Sequence, residues 1–300
     1  MKKCINTKEK LKVSIAGLCI LLISLLLPAI SCSRQIQQQD SLKVLTTIYP
    51  LYDITRNIAE DRLEVVYIIQ PGESPHTFEL TPDRVKQLQG AEIAFKVGLG
   101  LDDWLDDTIA GLGMDTAVVE VNDRIDLIRE DNIANPHIWL SISNSMIIVE
   151  NITDQLIQSF PQYREEFEEN KQKYLQELKS LETRGENDAE KFKKREFIAF
   201  HDAWSYLARD LNIVQVMSVE PFPGKEPAPD YVIELYETVR QYGIDTIFIE
   251  PQLSADMVNY LAQDLELQIL VLDPLGGAGG RDSYIQLMHY NLDQLSKGLD

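Results

Sequence analysis

Between Tyr163 and Lys194 runs a highly charged stretch whose only glycine is Gly185, and it divides the chain into two halves built on the same pattern. A flexible linker would be rich in Gly, Ser or Pro. Here Glu and Lys pairs flank a narrow apolar stripe of Phe167, Tyr174, Leu175, Leu178 and Leu181. The stretch therefore reads as a rigid helical strut. A helix of about 30 residues spans about 45 Å, enough to cross two lobes. A second helical pattern, Asn144–Phe160, precedes it and is broken from it at Pro161.

On either side of the strut, short β-branched runs alternate with amphipathic helices. The first half reads as strands at Lys43–Tyr49, Leu63–Ile69, Glu92–Val97 and Ala117–Val121, with helices at Leu51–Ala59, Thr81–Gln89 and Trp104–Leu112. The second reads as strands at Glu196–Phe200, Ile213–Val219, Thr246–Ile249 and Gln268–Leu272. Its helices are Ala203–Leu211, Pro229–Tyr242 and Ala255–Asp264, with a closing helix in Arg281–Leu299. Such alternation predicts an α/β fold of two lobes with mostly parallel four-stranded sheets. The expected divisions are a first lobe at 43–160, a linking helix at 161–194 and a second lobe at 195–300.

The N-terminus reads as an export signal. Lysines at positions 2, 3, 8, 10 and 12 precede an apolar run from Val13 to Ile30, which ends in Ala29-Ile30-Ser31-Cys32. A basic segment, an apolar segment and small residues before the cut describe a secretory signal over residues 1–31. The cysteine resembles the lipid-modified residue of a bacterial lipobox, with Gln-rich residues 32–42 as a tether. The alternative is an uncleaved membrane anchor, and both place the remaining chain outside the cytoplasm. The three cysteines, Cys4, Cys19 and Cys32, all fall in or at the edge of this segment. Disulfides, thiolate ligands and a cysteine nucleophile are therefore not expected in the folded region.

Without residues 1–31, which hold five lysines and one glutamate, 23 basic and 47 acidic side chains remain, a formal charge of −24. That balance argues against nucleic acid as a partner. It also leaves membrane attachment to the lipid, and it draws cations toward the surface. Gly276–Gly280 lacks the strand-GxGxxG-helix setting of a dinucleotide loop and reads as a flexible loop, and no phosphate-binding loop or GxSxG motif is present.

Three of the four histidines have pointed settings: Ser74-Pro75-His76, Asn135-Pro136-His137 and Phe200-His201-Asp202. In open parallel sheets, ligands bind beyond the carboxyl ends of the strands. His76 lies in the loop after the second strand, and His201 directly follows the first strand of the second half. Glu250 and Asp273 each directly follow a strand of the same half, so placement leaves both open as a carboxylate partner. His289 has no such setting and reads as a surface or hydrogen-bonded residue. Trp104, Trp139 and Trp204 read as core aromatics. Three imidazoles with one carboxylate form a nitrogen and oxygen set suited to zinc. Because imidazoles must be deprotonated to bind, affinity is expected to fall as pH drops through about 6.5.

Several segments carry a family resemblance: LTTIYPLYDITRNIAED (45–61), QPGESPHTFELTPDRVKQLQGAEIAFKVGLGLDDWL (70–105), NPHIWLSISNSMIIVENI (135–152), FIAFHDAWSYLA (197–208), GKEPAPD (224–230), IFIEPQLSADM (247–257) and LVLDPLGG (270–277). The chain resembles the solute-binding lipoproteins of zinc/manganese ABC importers. The resemblance implies two βα lobes joined by one rigid helix, with His76, His137 and His201 as metal ligands and Asp273 as the carboxylate ligand. Glu250 would stand behind them. It implies a monomer that delivers its ion to a membrane permease and is not an enzyme. Manganese-selective relatives tend to carry Glu where this chain has His201, and imidazole favours zinc over the harder manganese ion. Residues 113–134 contain no histidine, so the His-rich loop of many zinc-dedicated relatives has no counterpart here.

Two other functions remain. A zinc hydrolase would need an open coordination position and a nearby base such as Glu250. A surface adhesin would use the metal structurally.

Overall fold

In the computed structural model, residues 42–300 are described, except 222, 223, 226 and 253–255. The signal segment, the proposed lipid site Cys32 and nearly all of the tether lie outside the described residues.

The first sheet contains β1 (Lys43–Thr46), β2 (Glu64–Tyr67), β3 (Ala91–Lys96) and β4 (Ala117–Glu120), in the order β2-β1-β3-β4. A small hairpin, β5 (Arg129–Glu130) with β6 (Ile133–Ala134), follows. The second sheet contains β7 (Glu196–Ala199), β8 (Val214–Ser218), β9 (Thr246–Ile249) and β10 (Gln268–Val271), in the order β10-β9-β7-β8. Read from its first strand, each sheet has the same topology, and every pairing in both is parallel. The inner strands β1, β3, β7 and β9 are largely buried, whereas β2, β4, β8 and β10 are partly exposed along their length. Apolar runs at the centre of a parallel sheet are what coverage of both faces demands.

The helices begin with α1 (Tyr49–Ala59), α2 (Pro82–Leu88), α3 (Trp104–Gly111) and α4 (Ile142–Ser159). The long helix α5 (Arg164–Ala189) joins the halves. It is followed by α6 (Ser205–Leu211), α7 (Pro229–Tyr242), α8 (Asp256–Leu265) and α9 (Tyr284–Leu299). Ser141 caps α4 by accepting from the Asn144 N–H at 3.0 Å, and Ser283 caps α9 by accepting from Gln286 at 3.1 Å. Such caps satisfy backbone donors that the first helical turn leaves unpaired.

Helix α5 buries Phe167, Asn170, Tyr174, Leu178, Leu181, Gly185 and Ala189, spaced three or four residues apart on one face. That face packs on α1 and α4 from the first half and on α6 and α9 from the second. Gly185 does not loosen the strut. A Cβ there would stand 3.3 Å from a Leu211 methyl and 3.4 Å from one of Leu292, so glycine permits close helix approach.

Polar bonds reinforce this contact across the halves. Asp53 on α1, only 2% exposed, accepts from the Tyr284 N–H at 2.9 Å and the Tyr174 hydroxyl at 3.2 Å. One carboxylate thus ties α1, α5 and α9 together. Burial of that carboxylate raises its pKa above the ordinary value.

The sequence pattern did not reveal the β5–β6 hairpin. Its turn residues Asp131 and Asn132 have φ of 47° and 67°, a left-handed pair of the kind that suits two-residue hairpins. Helix α6 starts at Ser205, two residues later than expected. The Ala203 N–H turns back to the His201 carbonyl at 2.9 Å, and Ser205 Oγ donates to Asp202 Oδ1 at 2.6 Å.

Candidate metal centre

Each histidine is delivered by a differently braced loop. After β2, the Glu73 N–H donates to the Gln70 carbonyl at 3.0 Å across Pro71-Gly72, where Gly72 has φ +88°. Proline followed by a left-handed glycine closes a tight turn. Arg84 on α2 holds the next residue, Glu73, by ion pairing at 3.1 Å, and it also donates to the Ile68 carbonyl. This loop presents His76. The β5–β6 hairpin leads into Asn135-Pro136-His137, where the Tyr206 hydroxyl donates to the Asn135 carbonyl at 2.9 Å and accepts from the Ile128 N–H at 3.1 Å. His201 follows the end of β7 after Phe200.

The three imidazoles converge. His76 Nε2 lies 2.9 Å from His137 Nε2, which lies 3.1 Å from His201 Nε2. One ring nitrogen from each residue falls within 4.8 Å of the other two. His137 and His201 are buried, while His76 stands at the open side, exposed as a residue but with its ring facing the other two.

Hydrogen-bond partners assign the tautomers. Asn135 Nδ2 donates to the Asp202 carbonyl at 2.9 Å, and Asn135 Oδ1 accepts from the His137 backbone N–H at 3.0 Å. The same Oδ1 lies 2.8 Å from His137 Nδ1, so Nδ1 carries the proton and Nε2 presents its lone pair. His201 Nδ1 lies 2.5 Å from Glu250 Oε1, and a carboxylate accepts, so Nδ1 carries a proton and in the neutral ring Nε2 presents the lone pair. Two lone pairs therefore face each other across 3.1 Å. They cannot bond to one another, but both can bond a shared cation. Zinc at about 2.0–2.1 Å from each nitrogen sets tetrahedral N···N separations near about 3.3 Å. The 2.9 and 3.1 Å separations need only a few tenths of an ångström of expansion.

Burial pushes the pKa of His76 down to about 4, reinforced by the nearby His201. Burial likewise holds His137 well below the ordinary imidazole range, with His201 and His76 adding to it. Desolvation disfavours a charged ring. Both rings are thus neutral at pH 6.5.

Glu250, 3% exposed, sits behind His201 and also lines the pocket. His201 and Glu250 follow β7 and β9, the neighbouring strands at which the order of the second sheet reverses. Crevices at such reversals are the usual ligand sites of parallel sheets. The equivalent crevice of the first sheet is closed by Asp102, which accepts from Thr47 Oγ1 at 2.6 Å and from the N–H groups of Val97 and Gly98 at 2.9 and 2.7 Å.

Asp273 stands apart from the imidazole cluster. Its Oδ2 accepts from Arg281 Nε at 2.6 Å, and its Oδ1 accepts from the N–H groups of Leu275 and Gly276 and from Gln252 Nε2. His289 lies elsewhere, with Nδ1 2.5 Å from an Arg184 nitrogen. Trp139 and Trp204 are buried core residues, and Trp104 stacks at a tilt on Phe78. Trp139 also reaches the pocket, where its Nε1 donates to the Pro274 carbonyl at 2.7 Å and joins the two halves beneath the site. Asn135, Gln252 and Arg281 escaped the sequence reading. Only Asn135 left a signal there, two residues before His137.

The family described as zinc-uptake complex component A, periplasmic, matches residues 44–298. The high-affinity zinc uptake system protein ZnuA of Bacillus subtilis is 28% identical over 281 residues, covering 87% of this chain and 88% of that protein. The zinc-binding lipoprotein AdcA of Streptococcus pneumoniae is 28% identical over 314 residues. That match covers 97% of this chain but only 61% of the relative, so the chain spans less than two thirds of its length. A crystal structure of ZnuA superposes with a TM-score of 0.79 at 25% identity, covering 87% of this chain and 100% of that one. A manganese-bound mutant of a periplasmic metal-binding protein from Candidatus Liberibacter asiaticus gives the same TM-score and identity over 86% of this chain and 100% of that one.

Proposed function

Because the chain belongs to the periplasmic zinc-uptake component A family, we propose that it captures a divalent transition metal outside the cytoplasm and delivers it to the membrane permease of an ABC importer. Zinc is the favoured ion and manganese the alternative. The observation that carries this reading is the convergence of His76, His137 and His201 through Nε2 atoms, two of them in rings whose Nδ1 faces a hydrogen-bond acceptor. Asp273 is the carboxylate that would join them as a fourth ligand, on leaving the Arg281 guanidinium that it bonds in this structure.

The ion is cargo rather than catalyst. Glu250, the residue a hydrolase would need as a base, is engaged at His201 Nδ1, where it orients a ligand. The protein acts as a monomer of two metal-binding lobes, 43–160 and 195–300, on a backbone helix at 161–194. Lipid on Cys32 holds it at the membrane after residues 1–31 are removed. Among the described residues, no helix is long and apolar enough to cross a membrane.

The test is metal content and thermal response. Purified protein should hold about one zinc per chain, and a chelator should lower its thermal midpoint, because a ligand that binds only the folded state stabilises it. Protein that takes up no metal and melts identically with and without chelator would refute the reading.

A further inference from the structure

The Gly276–Gly280 run does something the metal-receptor reading does not use. Four of its residues have positive φ: Gly276 at +70°, Gly277 at +81°, Gly279 at +63° and Gly280 at +80°. Side chains other than glycine rarely adopt such angles. The loop closes on itself, since the Gly277 N–H donates to the Arg281 carbonyl at 2.8 Å and the Arg281 N–H donates to the Ala278 carbonyl at 3.2 Å. A Cβ on Gly277 would meet the Tyr49 ring at 2.8 Å and Pro71 at 2.9 Å, so the first half presses the loop into place. The result is that the chain doubles back and returns Arg281 to Asp273, eight residues earlier.

Arg281 is itself held. Its guanidinium lies over the Tyr290 ring at 4.7 Å from the centroid, and its Nε bonds Asp273 Oδ2 at 2.6 Å. Asp273 is 2% exposed and has a donor on both oxygens. An arginine so placed neutralises the one carboxylate that the receptor reading offers as a fourth ligand. The two other groups at hand differ in kind: Glu250 is occupied by His201, and Gln252 is neutral.

We propose that Arg281 is a specificity-determining residue, which withholds Asp273 from the metal and so tilts the site toward zinc and away from manganese. The inference rests on the receptor reading and refines it. Zinc accepts a nitrogen-dominated, low-coordinate set, so three imidazoles satisfy most of its demand. Manganese prefers oxygen ligands and higher coordination, so it needs Asp273. Recruiting Asp273 breaks an ion pair whose carboxylate is buried and leaves the guanidinium without its partner. That cost falls on the ion that requires the carboxylate. Arg281 thereby supplies a repulsive element of selectivity, acting through Asp273 without touching the ion.

The test is competition between zinc and manganese for the purified, metal-stripped protein, read by titration against a chromophoric chelator and by elemental analysis. Arg281→Met keeps the length and removes the charge. It should shrink the zinc-to-manganese affinity ratio by about tenfold or more, chiefly through a gain in manganese affinity. Arg281→Lys should retain part of the discrimination. In the otherwise unaltered protein, Asp273→Asn should change zinc affinity far less than His137→Ala does. Added to Arg281→Met, it should abolish the manganese gain, a dependence that a merely structural arginine would not show.

An unchanged ratio in folded Arg281→Met overturns the proposal. So does a loss of zinc in Asp273→Asn as large as that in His137→Ala, a measurement that stands even if Arg281→Met does not fold. If the unaltered protein binds neither ion, the receptor reading itself fails. If it binds zinc but the ratio does not respond, only the role of Arg281 fails.

Discussion

His201 Nδ1 donates to Glu250 Oε1 across 2.5 Å, joining the ends of two neighbouring strands and turning the Nε2 lone pair of His201 toward His76 and His137. Glu250 therefore sets the tautomer of a proposed ligand. Glu250→Ala should lower zinc affinity by about 10–100-fold, the usual cost of removing such a supporting partner. Glu250→Gln, which can still accept at Oε1, should lose less. Titration against a competing chelator checks both, and equal affinity in all three proteins would remove Glu250 from the site's design.

His201→Glu exchanges an imidazole for a carboxylate among the three converging side chains. Oxygen suits manganese better than zinc, so the zinc preference should narrow or reverse. Elemental analysis after equilibration with both ions reads the outcome directly. An unaltered preference would show that the third side chain does not govern the choice of ion.

The low pKa of the imidazoles fixes a pH window. The His76 ring titrates in the folded protein at about 4 rather than at its ordinary value of 6.5. Between those values the unfolded chain binds a proton at His76 that the folded chain does not, so folding releases it. Stability of the metal-free protein should therefore rise with pH across the window and fall on acidification. His137 acts in the same direction. Metal binding should weaken on acidification as protons compete at the imidazoles, with His76 becoming protonated as pH approaches about 4. Zinc titrations from pH 7 downward check this, and an affinity unchanged between pH 7 and about 4 would contradict it.

Asp53→Ala should destabilise the whole fold. It strands the Tyr284 N–H and the buried Tyr174 hydroxyl, each of which costs about 1–3 kcal/mol when left without an acceptor. Each kcal/mol corresponds to a drop of about 2–4 °C in the thermal midpoint of a protein this size. Because Asp53 joins α1, α5 and α9, one cooperative transition at lower temperature is expected by circular dichroism. A variant that melts at the original temperature would show that the helical contacts alone hold the halves together.

Local chemistry made much of the fold legible. Alternation of β-branched runs with amphipathic helices is a short-range pattern, and it identified all eight strands of the two sheets and the strut. The hairpin at Arg129–Ala134 was missed because strands of two residues carry no periodicity. The strut's stripe was read nearly correctly, although Leu175 is only partly buried and Gly185 belongs to the buried face.

For the site, the residue types on offer are legible along the chain: three histidines in loops or at a strand end, no cysteine beyond Cys32, and two strand-end carboxylates. Their meeting was decided by the tertiary structure, because His76, His137 and His201 arrive from loops far apart in the chain and only the packed halves bring their Nε2 atoms together. The partners of the carboxylates were decided there as well. Glu250 and Asp273 look alike in sequence, each at the end of a strand. One faces His201, and the other is claimed by an arginine that a glycine loop folds back onto it. Backbone preferences act over a few residues and can be read along the chain. The partner of a buried charge depends on which neighbours the packed fold supplies.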